Sequence, residues 1–303
     1  MRDAVTRILL ACCLVVGATT IAPPAPATAG SGVKVAIIVG PTGSLTDTFR
    51  ARANQVADRA RDAGATVAKA YSPRATWRNV VEAVRGANVI VYFGHGNGYP
   101  SPYSSTEWRD RVNGWGLKRN TSNGDKDDWS RTMVYCGEKA LLGTLGANDG
   151  AAQRRYCRDG ELRPANGFVM IYGQAHYAPG FGERYSRDDP KTPYRKARQR
   201  VRNYSYPIFK MGGSAFYATA YGDAHRLVAR LLNHPGRTFG WAFRHGEGFD
   251  ADAIRRSNHP DLNVRIFVQK TVIRGMHFSQ PDWWYAFVGR PSRTPRQAGV
   301  TGG

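Results

Sequence analysis

Three continuous apolar runs punctuate the chain: Val33 to Gly40 (VKVAIIVG), Asn88 to Phe93 (NVIVYF) and Gly167 to Tyr172 (GFVMIY). Short runs without polar alternation predict strands buried on both faces of a parallel sheet. Between the first two, Leu45, Phe49, Ala53, Val56 and Ala60 recur at helical spacing with Arg and Asp on the other face. They predict a helix from about Thr46 to Ala63, closed by Gly64. Thr66 to Tyr71 reads as a second strand and Thr76 to Val84 as a second helix. Strands alternating with helices at these intervals imply right-handed crossovers and a doubly wound, mainly parallel α/β sheet.

Further along, Pro193 to Arg202 reads as a very basic helix, Ser214 to Ala220 as a strand, and Asp223 to Leu232 as a helix whose apolar face is Leu227, Val228, Leu231 and Leu232. Val264 to Arg274 and Trp283 to Val288 alternate as strands do, and the tail over 291–303 has the composition of a mobile loop. Between Gly94 and about Asn166 the periodicity fails. So long a stretch is seldom structureless inside a compact domain, and it is read as an insertion over about 99–166, folded around its own aromatics. Trp108, Trp115 and Trp129 could line a groove or form the insertion's small core. No internal repeat is present.

The N-terminus changes the picture. Arg2 and Arg7 precede an apolar run from Ile8 to Ala18, and Ala27-Thr28-Ala29 offers a small-residue cleavage site, so 1–29 is expected to be a secretory signal peptide followed by one domain over 30–290. Cleavage takes Cys12 and Cys13 with it. Cys136 and Cys157 remain, and an even pair in an exported chain is expected to form a disulfide. The apolar fraction of 42% fits a packed core and excludes disorder throughout.

The formal charge of +20 falls by only one on cleavage, since Arg2, Arg7 and Asp3 leave together. A basic exported protein, extracellular or associated with the cell envelope, favours acidic envelope polymers over cytoplasmic nucleic acid, and no transmembrane segment is expected after cleavage. Lys191, Arg195, Lys196, Arg198, Arg200 and Arg202, beside Tyr194 and Tyr204, could track an acidic polymer or simply form a solvated helix face.

Candidate chemistry starts at Tyr92-Phe93-Gly94-His95-Gly96-Asn97-Gly98, directly after a buried strand. Glycines on both sides of a histidine let the backbone turn while the imidazole enters the crevice at the strand end, where open α/β sheets bind ligands. The fourth strand leads into Gln174-Ala175-His176-Tyr177-Ala178-Pro179-Gly180. Over roughly Val33 to Ala178, apart from the insertion, the chain resembles the caspase-like cysteine peptidases, which include caspases, metacaspases and gingipains. The resemblance implies a catalytic histidine at His95, after the third strand. It also implies a cysteine nucleophile after the fourth, within a Gln-Ala-Cys-Arg-Gly type of motif. Here position 176 is histidine. An imidazole can act as base or ligand but does not form the stable thioester of cysteine acyl transfer.

Several readings of the His95 and His176 pair follow. It can be the remnant of a degenerate site in a noncatalytic relative. It can hold a metal with a third ligand from Glu183, Asp188 or Asp223, although no H-x-x-x-H spacing exists. It can bind an anion, or Cys136 can supply a replacement thiol. Gly96, Asn97 and Gln174 are the candidate binding residues beside it.

Gly40-Pro41-Thr42-Gly43-Ser44 lacks the Lys-Ser/Thr of a phosphate loop, and Arg244-His245-Gly246 has no buried strand before it. The expectation is an exported protein that binds a peptide or an acidic envelope component without catalysis and without a cofactor. The alternatives are a hydrolase acting through a metal or Cys136, and a polyanion-binding surface protein.

Overall fold

In a computed structural model of the chain, the structure describes residues 32–98, 113–120, 132–182, 192–272 and 281–300. The proposed signal segment, Trp108, Trp129, Glu183, Asp188 and Lys191 lie outside them. The first half runs β1 (Lys34–Val39), α1 (Thr46–Asp62), β2 (Thr66–Tyr71), α2 (Trp77–Val84), β3 (Val89–Phe93) and β4 (Gly96–Asn97). Next come β5 (Gly114–Lys118), β6 (Met133–Cys136), α3 (Glu138–Leu141), α4 (Ala151–Tyr156) and β7 (Val169–Gly173). Then follow α5 (Tyr194–Lys210), β8 (Ala215–Thr219), α6 (Ala224–Asn233) and α7 (Phe239–Arg244). The last strands are β9 (Ile254–Asn258), β10 (Arg265–Thr271) and β11 (Asp282–Gly289).

The main sheet has eight strands in the order β2-β1-β3-β7-β8-β11-β10-β9. The first five are mutually parallel, and β11, β10 and β9 add on by antiparallel pairing. The apolar runs lie in the middle of this sheet because both of their faces are covered. Val35, Ile37, Val39, Val89, Val91 and Ile171 face a layer made by α1, α6 and α7, while Ala36, Ile38, Ile90, Tyr92, Met170 and Tyr172 face α2, α5 and the insertion. The sheet is thus wound on both faces.

The stretch that breaks the helical and strand periodicity holds a separate three-stranded sheet, β4-β5-β6. It begins one residue after His95, earlier than expected, with Gly96 paired to Trp115 and Asn97 to Gly114. Trp115 is fully buried in the core and does not line a groove. Cys136, opposite Trp115 on β6, is disulfide-bonded to Cys157 just after α4.

Two expectations are corrected. The basic helix continues past Arg202 and through Pro207 to Lys210, because Val201, Tyr204 and Ile208 extend its buried stripe into the core. Residues 291–300 are docked rather than mobile: Ala298 and Val300 are buried among the α1, α6 and α7 side chains, and 301–303 lie outside the described residues. Among the described residues, no helix is long and apolar enough to cross a membrane.

Candidate functional site

Both histidines leave the carboxyl ends of neighbouring parallel strands, His95 two residues beyond β3 and His176 three beyond β7. Their rings meet edge to face with centroids 6.5 Å apart, and each side chain is half-buried. The ring of Phe181 also meets His176 edge to face, with centroids 5.7 Å apart. The structure therefore brings the two sequence-predicted residues together at the carboxyl edge of the sheet.

The backbone fixes that meeting. A side chain at position 96 would overlap the His176 carbonyl oxygen and crowd the Tyr204 hydroxyl, so Gly96 lets β4 run directly against the second loop. Within that loop Gln174 and Tyr177 both occupy left-handed backbone, with φ of 62° and 66°. Non-glycine residues rarely hold this conformation, which costs of order 1–3 kcal/mol and persists where surrounding contacts enforce it. The Gln174 N–H donates to the Thr219 carbonyl at 2.6 Å and its side-chain amide donates to the Ala220 carbonyl at 3.3 Å. Its Oε1 accepts from the Arg52 guanidinium, which reaches over from α1 and whose pKa is lowered by partial burial. Gln174 thus acts as a brace between β7, β8 and α1.

Four buried aromatic residues hold the first loop. The Tyr92 hydroxyl donates to the His95 carbonyl at 2.7 Å and accepts from the Gly116 N–H at 2.8 Å. Trp115 Nε1 donates to the Tyr172 hydroxyl at 2.9 Å, and the Tyr204 hydroxyl donates to the Asn97 carbonyl at 3.1 Å. Burial pushes the pKa values of all three tyrosines upward, so each remains a neutral hydrogen-bonding group. Tyr92 lies inside the Tyr92–Gly98 motif, yet nothing in sequence spacing announced its partnership with Gly116, Trp115 and Tyr172. Arg52 and Phe181 were likewise missed, since each reaches the His176 loop only through tertiary packing.

Other expectations resolve differently. Cys136 cannot serve as a nucleophile in this state, because its sulfur is bonded to Cys157. Among the described residues, no three His, Cys, Asp or Glu side chains gather to hold a metal. Asp223 is committed elsewhere: it accepts from the Thr219 hydroxyl and the Glu247 N–H, both at 3.0 Å, and faces Arg230 at 3.8 Å. The Gly40 turn is filled by the chain itself, since a side chain there would overlap the Gly116 carbonyl oxygen. His245 ends α7, with its Nδ1 2.9 Å from the Trp241 carbonyl and its ring tilted over Trp241.

No protein-family model, curated protein or solved structure matches this chain.

Proposed function

We propose that the chain is an exported, caspase-like protein whose crevice binds an extended peptide segment without cleaving it. The carrying observation is the His95–His176 pair: two imidazoles face each other at 6.5 Å across the strand ends where the resemblance implies a histidine and a thiol. The cysteines at 136 and 157 are joined to each other, so neither supplies that thiol, and such a bond suits an oxidising compartment. Braced by Gln174, Tyr92 and Gly96, the pair is rigidly presented, as a binding crevice requires. The peptide assignment follows the resemblance to peptidases, and the N-terminal charged, apolar and small-residue order supports export.

The test is incubation of the purified protein with a pool of acetylated octapeptides of mixed sequence, read by mass spectrometry and by the imidazole proton resonances. Intact peptides together with shifted His95 and His176 resonances, both lost in His176→Ala, are the expected result. Turnover of any peptide, or resonances that never move, would overturn the proposal.

A further inference from the structure

Beyond Phe181 the carboxyl edge continues onto the start of β11, where the Phe181 N–H donates to the Trp283 carbonyl at 3.1 Å. The Trp283 indole is buried, and its Nε1 donates to the Thr192 carbonyl at 2.8 Å. Tyr194 packs on it with ring centroids 5.5 Å apart, and the Lys270 ammonium stands 5.7 Å from its centroid. These groups, with Asp252 and Arg255, line an open pocket of about 530 Å³. That volume lies inside the range of small-ligand sites, roughly 300–1,000 Å³.

The charges around the pocket are not used up by one another. Among the described residues, Lys270 and Arg255 form no ion pair, and Asp252 pairs with no cation. One wall is the start of α5, whose first turn carries no acidic residue but the exposed Arg195 and Lys196, with Arg198 close behind. Cations at the positive end of a helix dipole are unfavourable for the isolated fold and strengthen the local attraction for an anion.

We infer that this pocket binds an acidic saccharide, at a site separate from the histidine crevice. The anionic group lies between Lys270 and Arg255, an apolar ring face lies against Tyr194, and ring hydroxyls donate to Asp252. Asp252 is the discriminating group. It repels a ligand that offers charge alone and accepts from one that carries hydroxyls beside its charge, which selects a sugar acid or sugar phosphate over a bare polyanion.

Titration calorimetry on the full chain tests this with an oligogalacturonate, a glycosylated glycerol-phosphate oligomer, a neutral galactose oligomer and an oligoglutamate. Binding of either acidic saccharide, each weakened roughly tenfold by Lys270→Gln and by Tyr194→Ala and unchanged by His176→Ala, is expected. Which of the two binds tells carboxylate from phosphate. Where Tyr194→Ala loses its circular dichroism signature, Arg255→Gln on the exposed edge strand takes its place. Equal affinity for oligoglutamate or for the neutral oligomer, or wild-type affinity in the Lys270→Gln and Tyr194→Ala proteins, overturns the inference. So does failure of both acidic saccharides to bind. Because His176→Ala is expected to be silent here, failure of the peptide crevice leaves this site standing, and the reverse also holds.

Discussion

At position 96 the absence of a side chain brings the two histidine loops together. A methyl group there meets the His176 carbonyl oxygen, which is backbone and cannot rotate away, so one of the two loops must shift. Gly96→Ala is therefore expected to cost about 1–3 kcal/mol, the usual range for overpacking a tight contact. It should also separate the His95 and His176 rings, which a loss of their mutual nuclear Overhauser contacts in the variant would register. A variant as stable as the parent with those contacts intact would remove Gly96 from the account of the site. This contact also shows where sequence reading stopped. The Gly-His-Gly pattern after a buried strand was legible, and so was a second histidine loop after the fourth strand, but the sequence leaves open whether the two rings meet. What Gly96 touches was not legible, since the carbonyl it faces lies far along the chain and backbone atoms leave no signature in a residue string.

Among the elements, legibility tracked burial. β1, β3 and β7 are covered on both faces, so their sequences contain little besides apolar residues and could be read directly. β9 (IRRSN) is an edge strand, exposed along much of its length, and carries no alternation to read. β5 (GWGLK) is glycine-rich because a side chain at 114 would overlap the Cys136 carbonyl oxygen and one at 116 would crowd Met133 and the His95 carbonyl, and that requirement erases the strand signal. α5 and the β9–β10 turn meet through His259, whose Nδ1 accepts from the Asp261 N–H at 3.2 Å and whose Nε2 faces the Arg202 carbonyl at 3.4 Å. Arg202 also pairs with Asp261 at 2.7 Å. This arrangement suits the neutral ring, and burial lowers the His259 pKa below its ordinary value of 6.5 despite the opposing pull of Asp261. The unfolded chain then takes up a proton at higher pH than the folded one. Stability from this contact is complete above pH 6.5 and is lost as pH falls toward the lowered value. Urea unfolding of the parent between pH 7 and pH 5 should show a decline that is shallower in His259→Gln. His225, also lowered chiefly by burial, contributes in the same direction. Identical pH slopes in the two proteins would mean that His259 does not sense the docking of α5.

For the molecule as a whole, closure of the α1, α6 and α7 layer depends on the end of the chain. From composition alone, residues after Pro291 resemble a solvated tail, because arginine, proline, glycine and polar residues dominate there. In the fold, the Pro291 and Arg293 carbonyls accept from the Gly240 and Phe239 N–H groups at 2.9 and 2.8 Å, capping the start of α7. The Gly299 carbonyl accepts from the Asn88 side chain at 3.1 Å, just before β3, and Val300 is fully buried. The segment thereby ties the last helix of one layer to the central parallel strands that present His95 and His176. Burial of one valine side chain is worth about 1.5–3 kcal/mol, and unsatisfied helix-start donors add about 1 kcal/mol or more. Truncation after Arg290 is accordingly expected to lower stability by about 3–5 kcal/mol, read as a drop in the urea midpoint. Because α7 packs in one cluster with β3, and Asn88 directly precedes β3, the truncated protein is expected to lose the His95–His176 ring contact at lower urea than the parent. A truncation that leaves the unfolding free energy within about 0.5 kcal/mol of the parent would return these residues to the status of a solvated tail.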